Sequence, residues 1–145
     1  MQIDTARFGQ ITVNDSGIIT FLDGILGFGD QRRYVLLETA EYAPLKWLQS
    51  VEAGWLAFVL LEPEEFLDEY DVEIDSDSIS ELDLSSPEKA IVYTIVTASE
   101  TPKDTTANLQ APIILNPTNQ LAKQIVLHNS PYSIRHPVLG NGNSK

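Results

Sequence analysis

The chain has no cysteine among its 145 residues. Disulfides, thiolate metal sites and cysteine nucleophiles are therefore excluded. It also lacks any long apolar run. The longest, Trp55 to Leu61, is far shorter than the roughly 20 residues of a transmembrane helix. The start, Met1-Gln2-Ile3-Asp4, has no basic region ahead of an apolar one and does not read as a signal peptide. These absences lead to the expectation of a soluble cytoplasmic protein with no membrane partner. Charge of one sign is missing over long stretches as well. Between Lys46 and Lys89 there is no basic residue, while thirteen acids fall there. Beyond Asp104 there is no acid. Residues 1–104 carry six basic and twenty-one acidic side chains, a sum of −15, and residues 105–145 carry +3, giving −12 for the whole. A surface this negative repels phosphate backbones, so direct nucleic-acid binding is not expected. It attracts a basic partner, or it is simply a solvated acidic face.

What is present points to a β-protein. Apolar residues make up 43% of the chain, enough for a packed core. They come in short segments rich in β-branched and aromatic residues, separated by turn signals. Ile11-Thr12-Val13 and Ile18-Ile19-Thr20-Phe21 flank Asn14-Asp15-Ser16-Gly17, which predicts a hairpin with Gly17 free to take positive φ. Strands are also predicted at Tyr34 to Leu37, Leu56 to Leu61, Ala90 to Thr97, Ile113 to Leu115 and Gln124 to Leu127. In Ala90 to Thr97 both alternating sets, Ile91/Tyr93/Ile95 and Val92/Thr94/Val96, are fairly apolar. That pattern predicts a strand in the middle of a sheet, covered on both faces. Helices are few and short. Pro44 to Leu48 suits a helical turn, Pro63-Glu64-Glu65 a helix start, and Ser78 to Glu81 has capping-box spacing. The expectation is an all-β, antiparallel, barrel-like single domain over residues 1–139 with a few short helices and a disordered tail at 140–145.

No catalytic constellation emerges. His128 and His136 are eight apart, without the i, i+4 spacing of a helical zinc site, and read as surface histidines. Asp71-Val72-Glu73-Ile74-Asp75-Ser76-Asp77 lacks the central glycine and terminal glutamate of a calcium loop, and its apolar residues alternate as in a strand. No serine sits in a nucleophile elbow, and no phosphate-cradling glycine loop is present. The chain is expected to be no enzyme and to need no metal or cofactor.

Two blocks are more specific than generic β-sequence. The first is Asp23-Gly24-Ile25-Leu26-Gly27-Phe28, continued by Tyr34-Val35-Leu36-Leu37 and Pro44-Leu45-Lys46-Trp47-Leu48. The second is Asn108-Leu109-Gln110-Ala111-Pro112-Ile113-Ile114-Leu115-Asn116-Pro117, followed by Gln124 to Leu127. In combination, order and spacing they resemble the bacterial flagellar assembly factor FliW family over nearly the whole chain. The resemblance implies a non-enzymatic β-barrel-like protein of the bacterial cytoplasm. It implies two partners: unsecreted flagellin, bound near its terminal helical regions, and the RNA-binding translational repressor CsrA, whose repression of flagellin synthesis is relieved. The residues themselves also have a structural meaning. Gly24 and Gly27 permit a tight crossing that turns Phe28 inward. Pro112 and Pro117 bracket a short strand, and Asn108 and Asn116 bond to local backbone at strand ends.

Two partner surfaces are expected. Flagellin requires an apolar groove or a sheet edge, with Ile91, Tyr93, Asn108, Leu109 and Tyr132 as candidates. The basic repressor is expected at the acidic stretch, on Glu64, Glu65, Asp68, Asp71, Glu73 and Asp75. The alternative is a small-ligand-binding β-barrel with Trp47, Trp55, Tyr93 and Tyr132 around an interior pocket. A large cavity would favour that alternative, and a filled barrel the regulator.

Overall fold

The computed structural model describes residues 1–127 and 130–138. His128, Leu139 and the tail 140–145 lie outside the described residues. Ten strands are present among the described residues: β1 (Gln2–Thr5), β2 (Gly9–Thr12), β3 (Ile18–Phe21), β4 (Arg33–Glu38), β5 (Lys46–Ser50), β6 (Ala57–Leu61), β7 (Ile91–Thr97), β8 (Thr106–Asn116), β9 (Leu121–Gln124) and β10 (His136–Pro137). The helix α1 (Ser76–Glu81) is the only α-helix among the described residues. Strands β3 to β9 pair in chain order, each antiparallel to the next, including across the long β6–β7 connection. A parallel pair, β3 against β9, closes the ring. The all-β antiparallel barrel expected from the sequence is thus present, with one parallel seam. Strands β1 and β2 form a separate hairpin.

The barrel interior is filled. Phe21, Tyr34, Leu48, Leu60, Tyr93, Ile113 and Leu115 are all buried in one cluster, with Phe28 and Phe58 packed against it. The space left at its centre is about 10 Å³, room for at most one water. Strand β7 shows why both of its faces are apolar. Ile91, Tyr93 and Ile95 join the interior cluster. Val92 and Val96 point outward and are covered by two further clusters, one around Leu82, Leu84, Ile114 and Ile125, the other around Leu61 and Ala107.

Several local expectations change in three dimensions. Residues 14–17 do not turn a hairpin. They form a 3₁₀ turn, Asp15–Gly17, that carries the chain from the β1–β2 hairpin into the barrel. The positive φ belongs to Gly9 (+66°), at the start of β2, not to Gly17. Pro44 to Leu48 is no helical turn: from Lys46 onward it is β5, paired with β4 on one side and β6 on the other. Two ladders of partners outweigh a weak local preference. At α1 the cap is Asp75 rather than Ser78. Its carboxylate accepts from the Ser78 amide at 3.1 Å and from the Ser78 hydroxyl at 2.7 Å.

The largest difference lies in β8, which runs eleven residues straight through Pro112. Its pairing with β7 jumps from Tyr93↔Ile113 to Ile95↔Asn108, so Thr94 alone faces residues 109–112. Pro112 sits inside this bulge, where a missing amide costs no ladder bond. Asn108 holds the bulge, its side-chain oxygen accepting from the amides of Gln110 (3.0 Å) and Ala111 (3.2 Å). The ladder expected at Gln124 to Leu127 is displaced to Leu121–Gln124. Beyond it, Ile125 and Leu127 still donate to the carbonyls of Pro112 (2.9 Å) and Gln110 (2.7 Å).

Candidate functional site

The acidic stretch is a strap over the outside of the barrel. It begins with the 3₁₀ turn Pro63–Glu65, runs without regular secondary structure over residues 66–75 and ends in α1. Its apolar side chains explain its course. Phe66 packs on the cluster around Leu61 and Val96. Val72, Ile74, Ile79, Leu82 and Leu84 pack on Val92, Ile114 and Ile125. The alternation read in Asp71 to Ile74 is therefore real, although that segment has no strand partner: Val72 and Ile74 face the barrel, and Asp71, Glu73 and Asp75 face water. Of the eleven acids from Glu62 to Asp83, ten are exposed. Only Glu62 and Glu81 form ion pairs among the described residues, with Lys46 and Lys123. Among the described residues the negative potential of the strap is thus largely uncompensated.

Two tyrosines pin the strap to the β8 bulge. The Tyr70 hydroxyl donates to the Leu109 carbonyl, and the Tyr132 hydroxyl accepts from the Asp71 amide at 2.8 Å. The rings meet edge to face at 4.7 Å. The Leu109 amide in turn donates to the Ser133 carbonyl at 2.9 Å. Burial first, and the neighbouring Tyr132 second, push the Tyr70 hydroxyl above its ordinary pKa, so it remains a donor at neutral pH. Asp75 is held below the usual carboxylate range, chiefly by the hydrogen bond from the Ser78 side chain, and stays charged.

Beside this junction lies a groove of about 570 Å³. Asp71, Glu73 and Asp75 form one lip, Ile125, Val126 and Leu127 the apolar wall, and Pro131 and Tyr132 one end. A second groove, about 700 Å³ and mainly apolar, crosses the outer face of β5, β6 and β7. Tyr42, Leu45, Trp47, Val59, Phe66 and Val138 are among its lining residues. The two grooves share no lining residue.

The candidate residues separate accordingly. Asp71, Glu73, Asp75 and Tyr132 converge on the acidic groove. Glu64 and Asp68 flank a smaller depression earlier along the strap, and Glu65 edges the apolar groove. Asn108 is half-buried in the bulge. Tyr93 and Leu109 are buried, at 4% and 2% exposure, and Ile91 packs on the interior cluster, so these three side chains serve the core. Alternation places Ile91 and Tyr93 on β7 but does not say that their face is the inside of a closed ring. Tyr70 and the Ile125–Leu127 wall were not singled out from the sequence. The lone aromatic hydroxyl amid the acids was the available signal for Tyr70. The four aromatics of the small-ligand alternative share no cavity: Tyr93 is inside, Trp47 and Tyr132 border different outer grooves, and Trp55 is 69% exposed.

Comparison with known proteins agrees with the architecture. The family model described as FliW protein matches residues 2–138. A flagellar assembly factor FliW from Natranaerobius thermophilus is 42% identical, the match covering 100% of this chain and 97% of that protein. The Bacillus subtilis (strain 168) protein of the same description is 39% identical over 97% of this chain and 98% of its own length. A crystal structure of the flagellar assembly factor FliW superposes with a TM-score of 0.91 at 35% identity, covering 97% of this chain and 99% of that one.

Proposed function

Because this chain belongs to the FliW family, we propose that it is a non-catalytic flagellar assembly factor of the bacterial cytoplasm that binds flagellin and antagonises the RNA-binding repressor CsrA. The observation that carries this reading is that the barrel is filled while its concave surfaces lie outside. A filled barrel offers no room for a small ligand, and outer grooves suit protein segments. The apolar groove over β5 to β7 is the seat for flagellin. Its size, and Trp47 and Phe66 along it, match an amphipathic helix laying down one apolar face. The acidic strap is the seat for the repressor. Its unpaired carboxylates oppose the basic surface an RNA-binding protein must carry, and their potential beside that surface weakens its hold on RNA.

The test is calorimetry with purified flagellin and purified repressor, and RNA displacement from the repressor at two salt concentrations. Replacing Glu64, Glu65, Asp68, Asp71, Glu73 and Asp75 by Gln or Asn is expected to weaken displacement, and salt to weaken it further in the wild type. Val59→Asp in the apolar groove is expected to weaken flagellin capture and leave displacement unchanged. Failure of the wild-type chain to bind either protein would overturn the proposal.

A further inference from the structure

The acidic groove runs between two stretches of chain whose main-chain groups are free among the described residues. One wall is the segment 71–75, and among the described residues no hydrogen bond engages the main chain of Val72, Glu73 or Ile74. The opposite wall is 125–127. There the amides of Ile125 and Leu127 point to β8, donating to Pro112 and Gln110. In an extended chain successive amides point to opposite sides. The main chain of Val126 therefore faces away from β8, and among the described residues it too has no partner. Its side chain is 40% exposed. The lip carries its charges at every second residue, Asp71, Glu73 and Asp75, with Val72 and Ile74 turned inward between them.

We propose that this groove takes one extended peptide segment of a partner protein, added as a strand beside residues 125–127, with Lys or Arg at alternate positions facing Asp71, Glu73 and Asp75. The charge spacing selects the occupant. Two residues of extended chain span about 6.6 Å on either partner, so alternate cations stay in register with alternate acids along the whole lip. A helix presents its same-face residues on a different repeat and loses register after one pair. The intervening side chains of the strand face inward beside Ile125 and Leu127, which pack in one cluster with Val72 and Ile74. Main-chain bonds then hold the strand, and the acids choose its sequence. This deepens the reading of the acidic strap given above and rests on it only for which cellular partner supplies the strand.

The experiment titrates four end-blocked synthetic peptides into the full chain, followed by fluorescence anisotropy. One alternates Lys with Val and Thr. The second has the same composition with its lysines in one block. The third repeats the first with alternate amides N-methylated. The fourth is a basic amphipathic helix of equal charge. The alternating peptide is expected to bind at least about tenfold tighter than the other three. The triple variant Asp71→Asn, Glu73→Gln, Asp75→Asn is expected to erase that preference. Asn at 75 keeps a capping side chain, so α1 is retained. Val126→Pro, which removes the free main-chain donor without touching the acids, is expected to do the same. Equal binding of the alternating and blocked peptides, tolerance of N-methylation, or preference for the helix would each overturn the inference. Any of those results alongside intact repressor binding would leave the proposed function standing. Pattern-dependent peptide binding without repressor binding would overturn the proposed function and leave the groove assignment.

Discussion

Asn116 joins the end of the strap to the barrel, and removing its amide should loosen both. The residue is 4% exposed at the end of β8. Its Nδ2 donates to the carbonyls of Leu82 (2.9 Å) and Asp83 (3.2 Å), and its Oδ1 accepts from the Thr118 amide at 3.0 Å. Asn116→Ala deletes all three bonds. The Leu82 carbonyl keeps a donor in Asn119 Nδ2 at 3.0 Å, and water can reach Asp83 and Thr118, both exposed. At about 1 kcal/mol net per bond, the expected loss is about 2–3 kcal/mol. Asn116→Asp keeps the Thr118 bond but turns a carboxylate toward two carbonyl oxygens in a buried site. It should cost more than Ala at pH 7. Burial raises the folded-state pKa of such an Asp, so the stability tied to its neutral form is present below the unfolded value near 3.9 and is lost as pH rises. The Asp variant should therefore approach wild type on acidification while the Ala variant does not. Urea denaturation gives the energies. Hydrogen exchange at the Leu82 and Leu84 amides, which bond to Ser78 and Ile79 carbonyls, reports whether the strap loosens first. An Ala variant within 0.5 kcal/mol of wild type, with unchanged exchange at these amides, would refute the reasoning.

Other expectations follow from the same geometry. Gly54→Ala places a Cβ 2.1 Å from the Asp4 carbonyl oxygen, so the β1–β2 hairpin must shift or detach, costing about 1–3 kcal/mol in chemical denaturation. Gly24→Ala is strained twice, by a φ of +74° and by a 2.7 Å approach to the Gly29 Cα, and should lower the melting temperature more than Gly27→Ala, whose Cβ meets nothing within 4 Å. At high pH, burial and then Glu52 push the Tyr34 hydroxyl up to about 12. Its contribution is complete below the unfolded value near 10 and is lost as pH rises through the folded one, so tyrosinate absorbance should appear together with unfolding. At low pH, Asp75 and Glu52 are both depressed, by the Ser78 side chain and by the Arg32 amide first among their partners. Their contribution is present above the unfolded carboxylate values and lost as pH falls through the folded ones, so urea midpoints should decline below about pH 4.

The sequence by itself determined the class of fold, most of the strands and the family. Alternation and β-branched residues mark Arg33–Glu38, Ala57–Leu61 and Ile91–Thr97 because a side-chain period of two is a local property of an extended chain. The charge asymmetry was equally plain, and it identified the side chains that line the strap. Tertiary structure alone decided what those residues do. Lys46–Ser50 is a strand because β4 and β6 lie on either side of it. The β8 bulge that admits Pro112 exists because β7 pairs with β8 on either side of residues 109–112, with the register shifted between Tyr93 and Ile95. Whether Tyr93 or Leu109 faces a partner or the core depends on ring closure through a parallel contact between segments a hundred residues apart, Thr20 with Leu121. The acidic groove likewise needs both walls, 71–75 and 125–127, which only the closed barrel brings together. Such long-range pairings leave no periodic trace in either segment, because their energy comes from burial and hydrogen bonding that exist only once the distant partner is in place.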